Sequence, residues 1–203
     1  EQMPADVTLV AVSKTKPQSS IEAAATTGQL DFGENRVQEM AEKAMSLADL
    51  NLQWHHIGHL QTNKVKQVVP HAHLIHAVDS ARLLQEIDKR SANIGKVSNV
   101  LLQIHIASES TKFGWSFPEF ETFLEGQSWQ KLEHVNIRGL MGMATFTDDQ
   151  QQVRREFQSL KRAFDASSSI GPEFDTLSMG MSGDWKIAID EGSTMVRIGS
   201  SIF

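Results

Sequence analysis

Short apolar segments rich in β-branched residues recur along the chain, each bounded by polar or glycine-containing stretches. Eight follow one another: Thr8–Ser13, Leu30–Asn35, Leu52–Gly58, His73–Asp79, Asn99–Ile106, Asn136–Met143, Thr176–Ser182 and Met195–Gly199. Runs of this length and composition predict strands. Most of the gaps between them carry a different period. Arg36 to Leu47 has apolar residues at helical spacing, Ser80 can cap a helix over Ala81–Ile94, and Asp148 or Asp149 can cap one reaching about Ala166. Strand and helix alternate, which implies parallel strands joined by right-handed crossovers. Eight such strands in 203 residues fit a closed (β/α)8 barrel of the TIM type. A doubly wound open sheet is the runner-up, but no Gly-x-Gly-x-x-Gly turn follows the first strand, as a dinucleotide fold would require.

Closure of the barrel has a chemical consequence, because it brings strand 8 beside strand 1 and makes Arg197 and Gly199 neighbours of Lys14. Lys14 ends the apolar run TLVAVSK, where a charged amine has no packing role. Many strands end in a solvated lysine, and that is its plain reading. The chemical reading is a rigid, partly desolvated amine whose lowered pKa frees it to attack an aldehyde. Barrels of this type often hold a phosphate on the loops after strands 7 and 8. Here strand 7 runs into SMGMSGD, with Gly180, Ser182 and Gly183, and strand 8 into VRIGSS, with Gly199 and Ser200. Glycines that admit close backbone approach, together with hydroxyl and amide donors, suit a dianion. Either loop alone would pass as an ordinary turn. At the two expected positions together, they favour phosphate.

Composition narrows the class. Hydrophobic residues make up 40% of the chain with no shift marking a linker, so residues 1–203 are expected to form one domain around one core. The absence of cysteine removes disulfide and thiolate-metal frameworks, and no run of about 18 apolar residues is present. A cytoplasmic protein that binds no membrane is expected. The net charge of -6, with no Lys/Arg cluster to override it, argues against a nucleic-acid surface. The chain begins at Glu1 and stops at Phe203 directly after strand 8, so terminal segments are expected to be missing from it.

Five ordered blocks carry a resemblance to a known family: VAVSKTKP at Val10–Pro17, FGENRVQE at Phe32–Glu39, WHHIGHLQTNK at Trp54–Lys64, RGLMGMATF at Arg138–Phe146, and the tail Leu177–Phe203. In these blocks the chain resembles the pyridoxal-phosphate homeostasis proteins, whose barrel is similar to the N-terminal domain of alanine racemase. The resemblance covers nearly all of the chain. It implies that Lys14 forms a Schiff base with pyridoxal 5'-phosphate (PLP), that Ser182, Gly199 and Ser200 hold the phosphate, that Asn35 lies near the cofactor, and that Arg197 faces the pyridine nitrogen. A guanidinium there disfavours protonation of the ring nitrogen and makes the ring a poorer electron sink. Asp184 is expected to start a helix or lie in a loop, and Asp190 to belong to the exposed end of a short helix.

Competing chemistries fare less well. Alanine racemase takes its second base, a tyrosine, from a C-terminal β-domain; this chain has no tyrosine, and its barrel consumes every residue. His55 could substitute as a base if alternation turns it into the barrel with Ile57, leaving His56 to face the helices, although a structural histidine is the plainer reading. His55, His59, His71, His73 and His76 lack the spacing and fixed carboxylate of a metal site, and Asp184 stands where a serine-hydrolase elbow needs glycine. Lys112, in ESTKFG after strand 5, is a solvated loop lysine or a second, weaker aldehyde contact of the kind the family carries in this region. The expected protein is therefore a monomeric barrel that carries or regulates PLP without dedicated turnover and contacts apo PLP enzymes transiently. An amino-acid racemase is the alternative.

Overall fold

Each strand pairs in parallel with the next in the chain, and the last returns to the first. The computed structural model describes residues 3–109, 113–167, 170–171 and 173–203, so Lys112 lies outside the described residues. The strands are β1 (Thr8–Val12), β2 (Asp31–Glu34), β3 (Gln53–His56), β4 (Ala72–Val78), β5 (Ser98–Ile104), β6 (Val135–Gly142), β7 (Thr176–Ser178) and β8 (Met195–Ile198). They close in the order β1 to β8, which rules out the open sheet. In the closing pair Val10 stands opposite Arg197 and Ala11 opposite Ile198.

Helices α1 (Gln18–Ala25), α2 (Val37–Ser46), α3 (Val65–Val68), α4 (Ala81–Ala92), α5 (Phe117–Glu125), α6 (Gln150–Ala166) and α7 (Trp185–Asp190) fill the crossovers. Their starts follow from local chemistry. Ser80 accepts a hydrogen bond from the Leu83 amide, Ser116 and Glu119 form a reciprocal capping box, and Asp149 accepts from the Gln151 and Gln152 amides. Along α6 the buried residues Val153, Phe157 and Leu160 recur at helical spacing and turn one face onto the barrel.

The apolar core lies mostly between strands and helices. A second, smaller cluster of Val10, Leu74, Ala77, Leu101, Met141 and Met195 fills the space enclosed by the strands. That inner space is not wholly apolar: His55, His76, Ser178 and Arg197 are also buried there, and they depend on one another for hydrogen bonds. His55 thus points inward and His56 does not, as alternation requires.

Several strands are shorter than the expected runs, β7 most of all. β7 ends at Ser178, not at Ser182, because Gly180 takes a φ of +99° and turns the chain towards α7. A side chain at position 180 would meet Ala188 Cβ at 2.6 Å, so the early turn brings α7 against the strand.

Candidate functional site at the C-terminal rim

A cavity of about 330 Å³ opens where the C-terminal ends of β1, β2, β7 and β8 meet. Lys14, Asn35, Ser182, Arg197, Gly199 and Ser200 line it, which are the six residues singled out in the sequence. Val12, Ile57, Met143 and Met181 supply its apolar walls. Sequence reasoning did not find these four, since nothing in a lone apolar residue distinguishes a cavity wall from core.

Lys14 differs from expectation in one respect. It is exposed, because β1 ends at Val12 and the chain has already entered a turn in which Thr15 takes a φ of 64°. None of the ion pairs and side-chain hydrogen bonds among the described residues uses its Nζ. The amine therefore stands free at the mouth, neither desolvated nor buried, while the backbone around it is held firmly. Lys43 Nζ donates to Ser13 O at 2.8 Å, and Glu39 Oε1 accepts from the Thr15 amide at 2.7 Å. The same ammonium pairs with Glu34 and Glu39, each at 2.7 Å, and Ser13 Oγ donates to Glu34 at 2.6 Å. Burial raises the Glu34 carboxyl above its ordinary value against the opposing pull of Lys43 and Ser13. For Glu39 burial also pushes upward, but the Lys43 and Thr15 bonds and the neighbouring cations prevail and lower it.

The floor is Arg197. It is 4% exposed, and its guanidinium donates to Ser178 O at 2.9 Å, Ser178 Oγ at 2.5 Å and Gly142 O at 3.1 Å. Burial pushes its pKa down to about 10, with the charge of Asp184 opposing, so it remains a cation at neutral pH. On the wall formed by the last two loops, the Gly199 amide points at Ser182 Oγ across 3.4 Å, a long bond that leaves both groups available to another partner. A Cβ at Gly199 would lie 3.1 Å from Val12 O and 3.2 Å from Val12 Cβ, so any side chain there would press β1 back by a few tenths of an ångström. A free amine, a fixed cation and a glycine-lined group of donors suit a flat ring bearing an aldehyde and a phosphate.

The remaining expectations separate from this cavity. Asp184 stands at the start of α7, with its carboxylate accepting from the Met181 amide, and Asp190 pairs with Arg154 at the exposed end of that helix. His59 pairs with Asp79 and stacks on Phe113. His55 is engaged on both nitrogens inside the barrel, and no histidine lines the C-terminal cavity. Among the described residues, no three His, Asp or Glu side chains are placed to hold a metal ion. A larger cavity of about 430 Å³ opens at the opposite rim, but the amine, the arginine and the phosphate-suited loops all lie at the C-terminal end, where barrels of this kind carry their chemistry.

A parallel barrel with an amine after strand 1 and glycine- and serine-bearing loops suited to an anion after strands 7 and 8 defines a class, and comparison with known proteins gives the family. The family model described as alanine racemase, N-terminal domain, matches residues 1–203. A pyridoxal phosphate homeostasis protein of Vibrio alginolyticus is 39% identical over 204 residues, covering 98% of this chain and 87% of the relative. One from Escherichia coli is 39% identical over 207 residues, covering 98% and 86%. The structure of PipY of Synechococcus elongatus without PLP superposes with a TM-score of 0.93 at 36% identity, covering 100% of this chain and 94% of PipY. The same protein with PLP bound gives 0.90 at 35%. Alanine racemase of Clostridium difficile shares the fold, with a TM-score of 0.78 at 17% identity over 52% of its length. This chain belongs to the alanine racemase N-terminal-domain family, among the pyridoxal phosphate homeostasis proteins.

Proposed function

We propose that this protein binds PLP in the C-terminal cavity and acts as a carrier or regulator of that cofactor. In this reading Lys14 is the amine that condenses with the aldehyde to a Schiff base, with loss of water. Ser182, Gly199 and Ser200 take the phosphate, Asn35 lies beside the ring, and Arg197 faces its nitrogen. The observation that carries the reading is the convergence of these six residues, from four strand ends, on one cavity. The names of the relatives and the PLP-bound form of PipY support it. When bound, PLP supplies an electrophilic aldehyde and an electron-withdrawing ring; the cationic Arg197 weakens the second property by disfavouring a proton on the ring nitrogen.

The protein works without dedicated turnover, as a cytoplasmic monomer that meets apo enzymes transiently. Among the described residues no helix is long and apolar enough to cross a membrane. Racemisation would need a second base opposite Lys14. The chain has no tyrosine, and His55, the sequence's substitute, is tied to His76 and Asp31 on the far side of Arg197.

The test is an absorbance titration of purified protein with PLP, alongside Lys14→Ala, followed by alanine in deuterated solvent. A lysine-dependent shift of the cofactor band without α-hydrogen exchange above that of free PLP is expected. No shift in the wild type would overturn the binding reading, and strong exchange would overturn the carrier reading.

A further inference from the structure

Below the cofactor cavity a file of polar side chains runs through the barrel to its other end. Arg197 Nη1 donates to Ser178 Oγ at 2.5 Å; Ser178 Oγ lies 3.1 Å from His76 Nδ1; His76 Nε2 lies 2.9 Å from His55 Nδ1; His55 Nε2 lies 2.9 Å from Asp31 Oδ1. The file crosses β8, β7, β4, β3 and β2 in turn. Its first four members are at most 4% exposed, whereas the Asp31 side chain is 24% exposed in the 430 Å³ cavity at the N-terminal rim.

With the two histidines neutral, the carboxylate fixes the direction of every bond, since a neutral imidazole that donates from one nitrogen accepts on the other. Arginine can only donate and an ionised carboxylate can only accept. Ser178 Oγ therefore accepts from Arg197 and gives its own proton to His76 Nδ1. His76 then carries its proton on Nε2 and donates to His55 Nδ1, and His55 donates from Nε2 to Asp31. Both histidines are then of the same tautomer, and each of their ring nitrogens has one partner along the file. Burial above all, with the Arg197 cation adding to it, keeps His76 well below the ordinary imidazole range, so it stays neutral.

Protonating His55 would break this order. Its Nδ1 would become a donor, His76 would have to accept on Nε2 and donate from Nδ1, and Ser178 would lose the acceptor for its proton while receiving two donors. The charged and titratable groups that face His55 are Asp31 from β2 and His76 and His73 from β4, with the His73 ring centre 5.5 Å away. Arg138 of β6, paired with Asp175, and Lys96 act on His73. His56, beside His55 on β3, points to the outer layer and acts on His76.

We propose that Ser178, His76, His55 and Asp31 are a positioning relay for Arg197, which aims the guanidinium at the cofactor ring and ties the hold on PLP to the protonation of His55 at the opposite rim. The proposal rests on the reading of the C-terminal cavity as a PLP site.

Its test has two parts. Nitrogen-15 NMR of histidine-labelled, cofactor-free protein near neutral pH is expected to find His55 and His76 both protonated on Nε2. A proton on Nδ1 of His76 would overturn the relay whether or not PLP binds. The second part is the PLP dissociation constant across pH in wild type, Asp31→Asn and His76→Phe, each checked for folding by circular dichroism. The phosphate and Lys14 are left unaltered in all three, so differences between them report the relay. Wild-type affinity is expected to fall several-fold as His55 takes up its proton, at a lower pH in Asp31→Asn, and His76→Phe to lose that component and bind roughly tenfold more weakly. Coincident curves for wild type and Asp31→Asn would overturn the proposal, even if His76→Phe fails to fold. If the wild type binds no PLP, the function reading fails by itself; the relay is then judged by the tautomers and by hydrogen exchange at the Arg197 guanidinium, expected to be at least about tenfold faster in His76→Phe.

Discussion

Lys43 reaches from α2 to the backbone of Ser13, donating from Nζ to the carbonyl oxygen at 2.8 Å, and so fixes the residue immediately before the free amine of Lys14. The ammonium is 7% exposed in its side chain and neutralises Glu34, which is fully buried. Removing one partner of such a pair leaves an uncompensated buried charge, at a cost of about 3 kcal/mol. Lys43→Met is expected to lower the melting temperature by roughly 10 °C at neutral pH. Glu39→Ala releases the Thr15 amide on the other side of Lys14 but leaves the Glu34 pair intact. It is expected to weaken PLP binding about fivefold while changing the melting temperature much less, since the Thr15 bond and the Lys43 pair it removes end on a partly exposed carboxylate and Lys43 keeps its buried partner. Equal effects of both variants on stability, with affinity untouched, would show that the cluster serves the fold alone.

The loops after β7 and β8 make a prediction of their own. Ser182 Oγ and the Gly199 amide face each other across 3.4 Å, and a dianion accepting from both would replace that long bond with two stronger ones. Ser182→Ala should raise the dissociation constant for PLP about tenfold, the usual worth of a hydrogen bond to a charged group. Gly199→Ala would press a methyl against Val12 O at 3.1 Å and is expected to have an effect of similar size. Borohydride reduction at saturating PLP should still label Lys14 in both, which separates loss of phosphate grip from loss of the amine. Inorganic phosphate should compete with PLP in the wild type and compete less well in Ser182→Ala; undiminished competition would place the phosphate elsewhere.

The parts of this site that could be read in the sequence are those fixed by strand ends. Once eight strands are counted, Lys14 after β1 and Gly199 after β8 must share a rim and meet, because a barrel closes first strand on last. Ser182 was legible for the same reason even though β7 stops four residues earlier than expected. The exposure of Lys14 was not legible, since it depends on where β1 gives way to a turn. Nor was the relay: His76 and Ser178 are 102 residues apart, and nothing in the sequence of β4 tells which side chain of β7 meets an inward histidine. The Glu39 and Lys43 pair is visible as a helical i, i+4 pair, but its use as a clamp on Ser13 and Thr15 is a tertiary fact.

His56 predicts the acid sensitivity of the fold. It is completely buried in the outer layer with no hydrogen-bond partner on either ring nitrogen, and burial, aided by the charge of His59, pushes its pKa down to about 4 from the usual 6.5. The unfolded chain therefore takes up this proton first as pH falls. The neutral imidazole contributes stability that is complete above about pH 6.5 and is lost progressively down to about pH 4, amounting to roughly 3 kcal/mol. His73 and His76 are shifted the same way by burial and add to the slope. His56→Phe removes the titrating group without orphaning any partner, so it should cost little at pH 7.5. Between pH 6.5 and 4.5 its denaturant midpoint should fall less steeply than that of the wild type, and the two curves should converge or cross. Parallel curves over that interval would mean that His56 takes up its proton equally readily in the folded and unfolded chains.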